Sequence, residues 1–350
     1  MNHYLTKLKV GVKRWWGYSV YYIVCAKNKT KNIIAEAKEF KSSKKKFKIF
    51  SSLLSRRRPL IYVMIAFLGI YYGLGALISS EINNKLEDHQ HESSSASSYA
   101  VKALADVLKV QVDDNAWTPA LPIIFPAALL DNQPNFQLGA KEGVTFFINK
   151  LAHRFKDDDL MSAAELLEYP SDIWLFSSTK DDSLAPGSAK QYRKALAHIR
   201  KFLKKNAVLP ANRENLLYIL KSSDAFISQK IDILHKHIRE HSSEVLDFSA
   251  DDIFYKTIGS AYTLYYFLAA VTKDYQSQIL EVEQYENMTT VLKYLAETAE
   301  MSPLVVKNAS PNDAFEANHL MYLGYYLSVI QSKLQQVYYQ VLLFSERPLP

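Results

Sequence analysis

LMYLGYYLSVIQSKLQQVYYQVLLF, Leu320–Phe344, sets Leu320, Leu323, Leu327, Ile330, Leu334, Val337, Val341 and Phe344 at alternating steps of three and four residues. An α-helix returns to the same face every 3.6 residues, so these side chains make one apolar seam over more than three heptads. Such a seam must be buried against another helix, and that requirement sets the fold class.

The same period recurs upstream. Between 211 and 241, Leu216, Leu220, Ile227, Ile231, Leu234 and Ile238 advance by three, four or seven residues. Between 251 and 271, Phe254, Ile258, Ala261, Leu264, Leu268 and Val271 do the same, behind Ser249 as an N-cap. No Gly or Pro lies between Gly259 and Pro303, so that helix is free to run on to Glu300, with a turn near Lys273–Ser277. Val144, Phe147, Ile148, Leu151 and Phe155 share another helical face, and Tyr99–Val112 reads as a short amphipathic helix. The expected fold is mainly α: a multi-helix bundle over residues 99–350.

Two stretches interrupt the pattern. Pro119, Pro122, Pro126 and Pro134 each fix φ near −65° and remove an amide donor, so 119–134 is expected to be extended or turned. It ends in LDNQPN, where Asp131, Asn132 and Asn135 suit local capping or contact with a ligand. The segments DDDLMSAAELLEYPSD and STKDDSLAPGS read as loops around the apolar patch Ile173–Phe176. Adjacent Asp157, Asp158 and Asp159 read as solvated, because Ca²⁺ loops space their carboxylates apart with an intervening glycine.

PLIYVMIAFLGIYYGLGALISS, Pro59–Ser80, is uncharged for 22 positions directly after Arg56, Arg57 and Arg58. A hydrocarbon core needs roughly 20 apolar residues in a helix, and a cluster of arginines holds its end in the cytoplasm. Residues 1–58 carry 16 Lys+Arg and 2 Asp+Glu, a net of +14; the remaining 26 basic and 34 acidic residues give −8, so the overall +6 hides two opposite halves. The expected order is a basic cytoplasmic segment (1–58), a transmembrane helix (59–80), a polar tether (81–98) and a helical periplasmic domain (99–350). A second crossing at Ile258–Val271 is too short at 14 residues.

Lys44, Lys45, Lys46 and Lys48 alternate with Phe47 and Phe50, and Trp15 and Trp16 lie upstream. Basic, aromatic and amphipathic together point to the surface of the anionic inner leaflet rather than to nucleic acid, for which no groove-reading motif is present. Gly69 and Gly73 form a G-x-x-x-G in the span, the spacing that lets two such helices pair as a homodimer.

Motifs with chemistry are few. The single Cys25 excludes a disulfide framework. His237-Ile-Arg-Glu-His241 matches the H-x-x-E-H pattern of a zinc peptidase, but the surrounding helix continues its stripe and no strands accompany it. His89 and His91 in the tether lack further ligands. Neither a metal nor a cofactor is expected.

Four segments, Pro126–Val144, Ser188–Leu203, Asp251–Val271 and Ser302–Leu327, together resemble a family of bacterial single-span inner-membrane envelope proteins classed as a domain of unknown function. The resemblance is most specific at Asp131, Asn132, Pro134 and Asn135 and at Ala317, Asn318 and His319. It implies a Gram-negative envelope and a periplasmic helical domain, and contributes no activity. The expected role is a structural or interaction module in envelope maintenance or assembly, with envelope proteins as partners. The alternative is a periplasmic enzyme or ligand-binding transducer with a site near Asp131, Asn132, Asn318 and His319.

Overall fold

The computed structural model describes residues 62–73, 82, 84–86, 98–122, 124–125, 132–178, 184–205, 210–241, 247, 249–303, 305–310 and 317–345. The chain divides into two compact units, Met1–Ile70 and Tyr71–Pro350. The basic segment with Trp15, Trp16, Lys44, Lys45, Lys46, Arg56, Arg57 and Arg58 lies outside the described residues, as do His89, His91 and Asp131.

The second unit is mainly helical. Its elements are α1 (Tyr99–Lys109), α2 (Asn132–Phe155), α3 (Asp158–Leu167), a two-stranded antiparallel pair β1 (Phe176–Ser178) and β2 (Leu184–Pro186), α4 (Ser188–Lys204), α5 (Arg213–His241), α6 (Ala250–Asp274), α7 (Gln276–Glu281), α8 (Tyr285–Ala299) and α9 (His319–Ser345). Helix α6 is the axis. From Thr257 to Thr272 it is buried on nearly all sides, as a helix is when others surround it, and it packs against α1, α2, α8, α9 and α5. The stretch too short for a second membrane span is therefore the centre of the core.

The closest crossing, α2 on α6, is made by glycines. A methyl on Gly139 would collide with the backbone carbonyl of Lys256, and one on Gly259 with that of Phe136. One turn on, a Cβ at Gly143 would stand 2.8 Å from Thr263 Cβ. With the backbones this near, Ser260 Oγ donates to Gly139 O (3.2 Å) and Thr263 Oγ1 to Ala140 O (2.9 Å), so buried hydroxyls are satisfied across the contact. Gly139 and Gly143 thus form a second G-x-x-x-G, inside the bundle.

Helix α2 also begins earlier than the proline pattern suggests. Asn132 is its first residue and Pro134 lies in the first turn, where a missing N–H would be unpaired anyway. Upstream, α1 is capped by Ser98, and Asp274 at the end of α6 accepts Ser98 Oγ (2.9 Å), Tyr99 N (3.0 Å) and Ala100 N (2.8 Å). Helix α1 passes into a π turn, Val110–Asp114, whose Gln111 side chain is fully buried and unpaired among the described residues.

The acidic run expected as a solvated loop is the start of α3. Asp157 is its N-cap, accepting Asp159 N (2.9 Å) and Leu160 N (3.1 Å), and carboxylates in a first turn complement the helix dipole. Asp159 is buried against Lys205 and Lys201 (2.9 Å) near the end of α4, with His198 Nδ1 at 3.5 Å. These bonds hold its carboxyl well below the usual carboxylate range. A depressed folded pKa contributes stability above the unfolded value, and that contribution is lost as pH falls through the folded value. The gap in melting temperature between wild type and Asp159→Asn should be widest at neutral pH and close as pH drops below about 4. A gap unchanged down to acid pH would remove the ion pairs from the account.

Helices α5, α8 and α9 complete the bundle. The α9 seam is buried from Leu320 to Val341, with Phe344 half-buried under Arg213, and it faces α5 and α8. The stretch 251–300 is broken twice: at Tyr275, inside the expected turn, and at Val282–Gln284, where Glu283 takes a positive φ of 55°. Ser249 stands at the N-cap of α6 without a side-chain cap bond; its N–H donates to Asp247 instead (3.1 Å).

The stretch expected as a free tether is fastened at its start. Asn84 is buried and its amide donates to Ala299 O (2.8 Å) and Met301 O (3.3 Å), while Leu86 N donates to Glu300 (3.2 Å). Of 59–80, residues 62–73 are described and helical. Among the described residues no helix is long and apolar enough to cross a membrane, and residues 59–61 and 74–80 lie outside that description.

Candidate ligand cleft and the polar bracket at α9

Asn135, Asn318 and His319 fasten separate segments to one another through their side chains. Asn135 Nδ2 donates to Asp252 (2.6 Å), tying the first turn of α2 to that of α6. Asn318 Oδ1 accepts Met321 N (2.8 Å) and caps α9, while its amide donates to Asn308 (2.9 Å) and Ala309 O (2.6 Å). His319 Nδ1 accepts Lys307 N (3.0 Å), and His319 N donates to Lys307 O (2.9 Å). Asn132 is half-buried at the helix start. Asn135 and Asn318 thus belong to separate brackets on the N-terminal side of α6.

The Asn318 bracket runs on into the zinc-like motif. Asn308 Nδ2 donates to Asp247 (2.9 Å), which also meets His237 Nε2 (2.7 Å), and His237 stacks on His241 with ring centres 4.4 Å apart. Burial pushes the Asp247 carboxyl up, but the bonds from Asn308 and His237 outweigh it and leave it below the ordinary value. His237 thus spends its Nε2 on a buried carboxylate. Among the described residues no three His, Cys, Asp or Glu side chains stand together in a way that could hold a metal.

A different place gathers charge around open space. An open cleft of about 490 Å³ lies along α2, with walls that include Lys141, Glu142, Phe146 and Lys150 from α2, Phe226 from α5 and Lys256 from α6. Behind it Lys230, 4 % exposed, bonds Glu142 Oε1 (2.6 Å) and lies over the Phe226 ring (4.9 Å). Lys256 approaches Glu142 Oε2 from the other side (3.4 Å). Lys141 and Lys150 have no ion pair or hydrogen bond from their ammonium groups among the described residues; they rest over Tyr192 (5.2 Å) and Phe146 (5.3 Å).

Burial governs the electrostatics here. It pushes both Lys141 and Lys230 below the ordinary lysine value, against the pull of Glu142. Burial also raises Glu142, but the Lys230 and Lys256 ammonium groups outweigh it and hold the carboxylate ionised. Tyr192, fully buried beneath Lys141, donates to Tyr169 O (2.8 Å), and burial raises its phenol to about 12, so it stays a neutral donor. Lys141, Lys230 and Lys256 come from three helices with no local spacing to connect them, so no sequence pattern points to this cleft.

No family model, curated protein or solved structure matches the chain.

Proposed function

We propose that the chain is a bitopic inner-membrane protein with a cytoplasmic N-terminus, whose periplasmic helical domain serves as a structural or interaction module of the envelope. The observation that carries the anchor is the helix at 62–73. Tyr62, Val63, Met64, Ile65, Phe67, Leu68, Ile70 and Tyr71 are all exposed, between 41 % and 70 %, so the helix is apolar all round and exposed over most of its surface. A helix of that kind requires either a protein core or lipid around it. Gly69 and Gly73 have nothing within 4 Å of a built Cβ, leaving that face open for a second helix in a homodimer. The unmatched +14 charge of residues 1–58 suits the anionic inner leaflet.

The module reading rests on α9. Opposite its buried seam it exposes Met321, Tyr322, Tyr325, Tyr339 and Leu343, and Tyr and Met are enriched where proteins meet.

An alkaline phosphatase fused after Pro350 is expected to be active in cells, and a cytoplasm-only reporter at the same position inactive. The chain should also stay with membranes through alkaline carbonate extraction. Cytoplasmic reporter activity, or release by carbonate, would overturn the topology.

A further inference from the structure

We infer that the cleft along α2 binds a phosphate monoester joined to an apolar body. Its volume of about 490 Å³ lies within the range of small-ligand sites. Its lining holds three lysines, Lys141, Lys150 and Lys256, and one carboxylate, Glu142: three positive charges less one negative, an excess of +2 that a dianion would balance. Glu168, bonded to Asn149 (3.1 Å), reduces that excess only in part. Lys230 bonds Glu142 Oε1 from the buried side and Lys256 stands 3.4 Å from Oε2, so each carboxylate oxygen faces a lysine other than Lys141 and Lys150. Those two are the ammonium groups with donors to spare, and ammonium donors bind phosphate as point charges.

The rest of the wall is mixed: Leu138, Phe146 and Phe226 are apolar, while Thr145, Asn149, Ser171 and Gln229 are polar. Leu138, Phe146 and Phe226 offer rings and aliphatic surface beside the lysines, which a bare inorganic ion would leave unused. Thr145 donates its hydroxyl to Lys141 O (2.8 Å) within α2, Asn149 donates to Glu168 (3.1 Å) and Ser171 Oγ accepts from the Tyr192 hydroxyl (3.1 Å), so most of the neutral polar groups are engaged and discrimination falls chiefly on charge and on the apolar surface. The cleft is walled by α2, α5 and α6 around the Lys230–Glu142 ion pair, which with Lys256 holds that side of the wall in place without a ligand. This site stands independently of the membrane reading, because every residue in it belongs to the second compact unit.

The test uses the full chain in neutral phosphatidylcholine nanodiscs, with phenyl phosphate as probe followed by calorimetry. Saturable binding at about 1 mM or tighter is expected, with phenol not binding and inorganic phosphate binding more weakly. The double change Lys141→Gln, Lys150→Gln should weaken the affinity about tenfold or more while changing the melting temperature little, since among the described residues neither ammonium group makes an ion pair and only their contacts with the Tyr192 and Phe146 rings are lost. Lys201→Gln, at the Asp159 cluster, should leave the affinity unchanged. Phosphatidic acid in the disc that displaces phenyl phosphate would assign the monoester to a lipid headgroup; failure to displace it would assign it to a soluble compound. No saturable binding, or binding indifferent to the lysine pair, overturns the proposal.

Discussion

Gly259→Ala is expected to destabilise the helical unit by about 3 kcal/mol or more, at the upper end of what overpacking does. The added methyl has nowhere to go, because the atoms it meets are the carbonyl oxygen of Phe136 and the nitrogen of Ala140, backbone that cannot rotate aside. Either α2 and α6 move apart, losing the Ser260 and Thr263 hydrogen bonds and the packing along the axis of the fold, or the unit does not fold. Gly324→Ala is the control. It is also a helical glycine, but its built Cβ touches only Leu234 Cδ1 at 4.0 Å, so the change should stabilise by roughly 0.5–1 kcal/mol through helix propensity alone. Thermal melts of the full chain followed by circular dichroism read both. Equal shifts in the two variants would mean that the α2–α6 contact is not close.

Leu327→Asp should lower the melting temperature nearly as severely. Leu327 is 2 % exposed in the middle of the α9 seam, and a carboxylate there must be desolvated without a partner or must prise α9 from α5 and α8, at a cost of several kcal/mol. Ser328→Asp adds the same charge one residue on, at an exposed position whose hydroxyl donates to Gly324 O (2.8 Å). It should cost little. If the two variants melted alike, the seam would not be a packing surface. If Leu327→Asp abolished an oligomer while the monomer stayed folded, the seam would join protomers rather than helices of one chain.

Long apolar periods are the legible part of this chain. The stripes of α5, α6 and α9 are set by side chains three and four residues apart, and burial of one face depends on local spacing whatever the partner. Ser98 and Asp157 show where local reading falls short. Both are helix N-caps, but the DDD run reads as solvated because the partners of Asp159, Lys201 and Lys205, lie more than forty residues away. Pro134 reads as a breaker because a proline suits a loop and a first helical turn equally well, and the backbone beyond it makes the difference.

The candidate sites divide the same way. Asn135, Asn318 and His319 can be picked out by residue type, but their work as brackets depends on Asp252, Asn308 and Lys307, which the fold delivers. The lysine cleft is invisible in the chain, since Lys141, Lys230 and Lys256 share no spacing. Residue order alone establishes that the chain is mainly helical, where its longest helices lie, and that a strongly basic segment precedes an apolar one. Folding in three dimensions is needed to make Gly139, Gly143 and Gly259 the closest contact, to fasten Asn84 to the end of α8, and to bring lysines of three helices around Glu142. Those features depend on distances between segments, and distances between segments are set by packing, which periodicity within one segment does not contain.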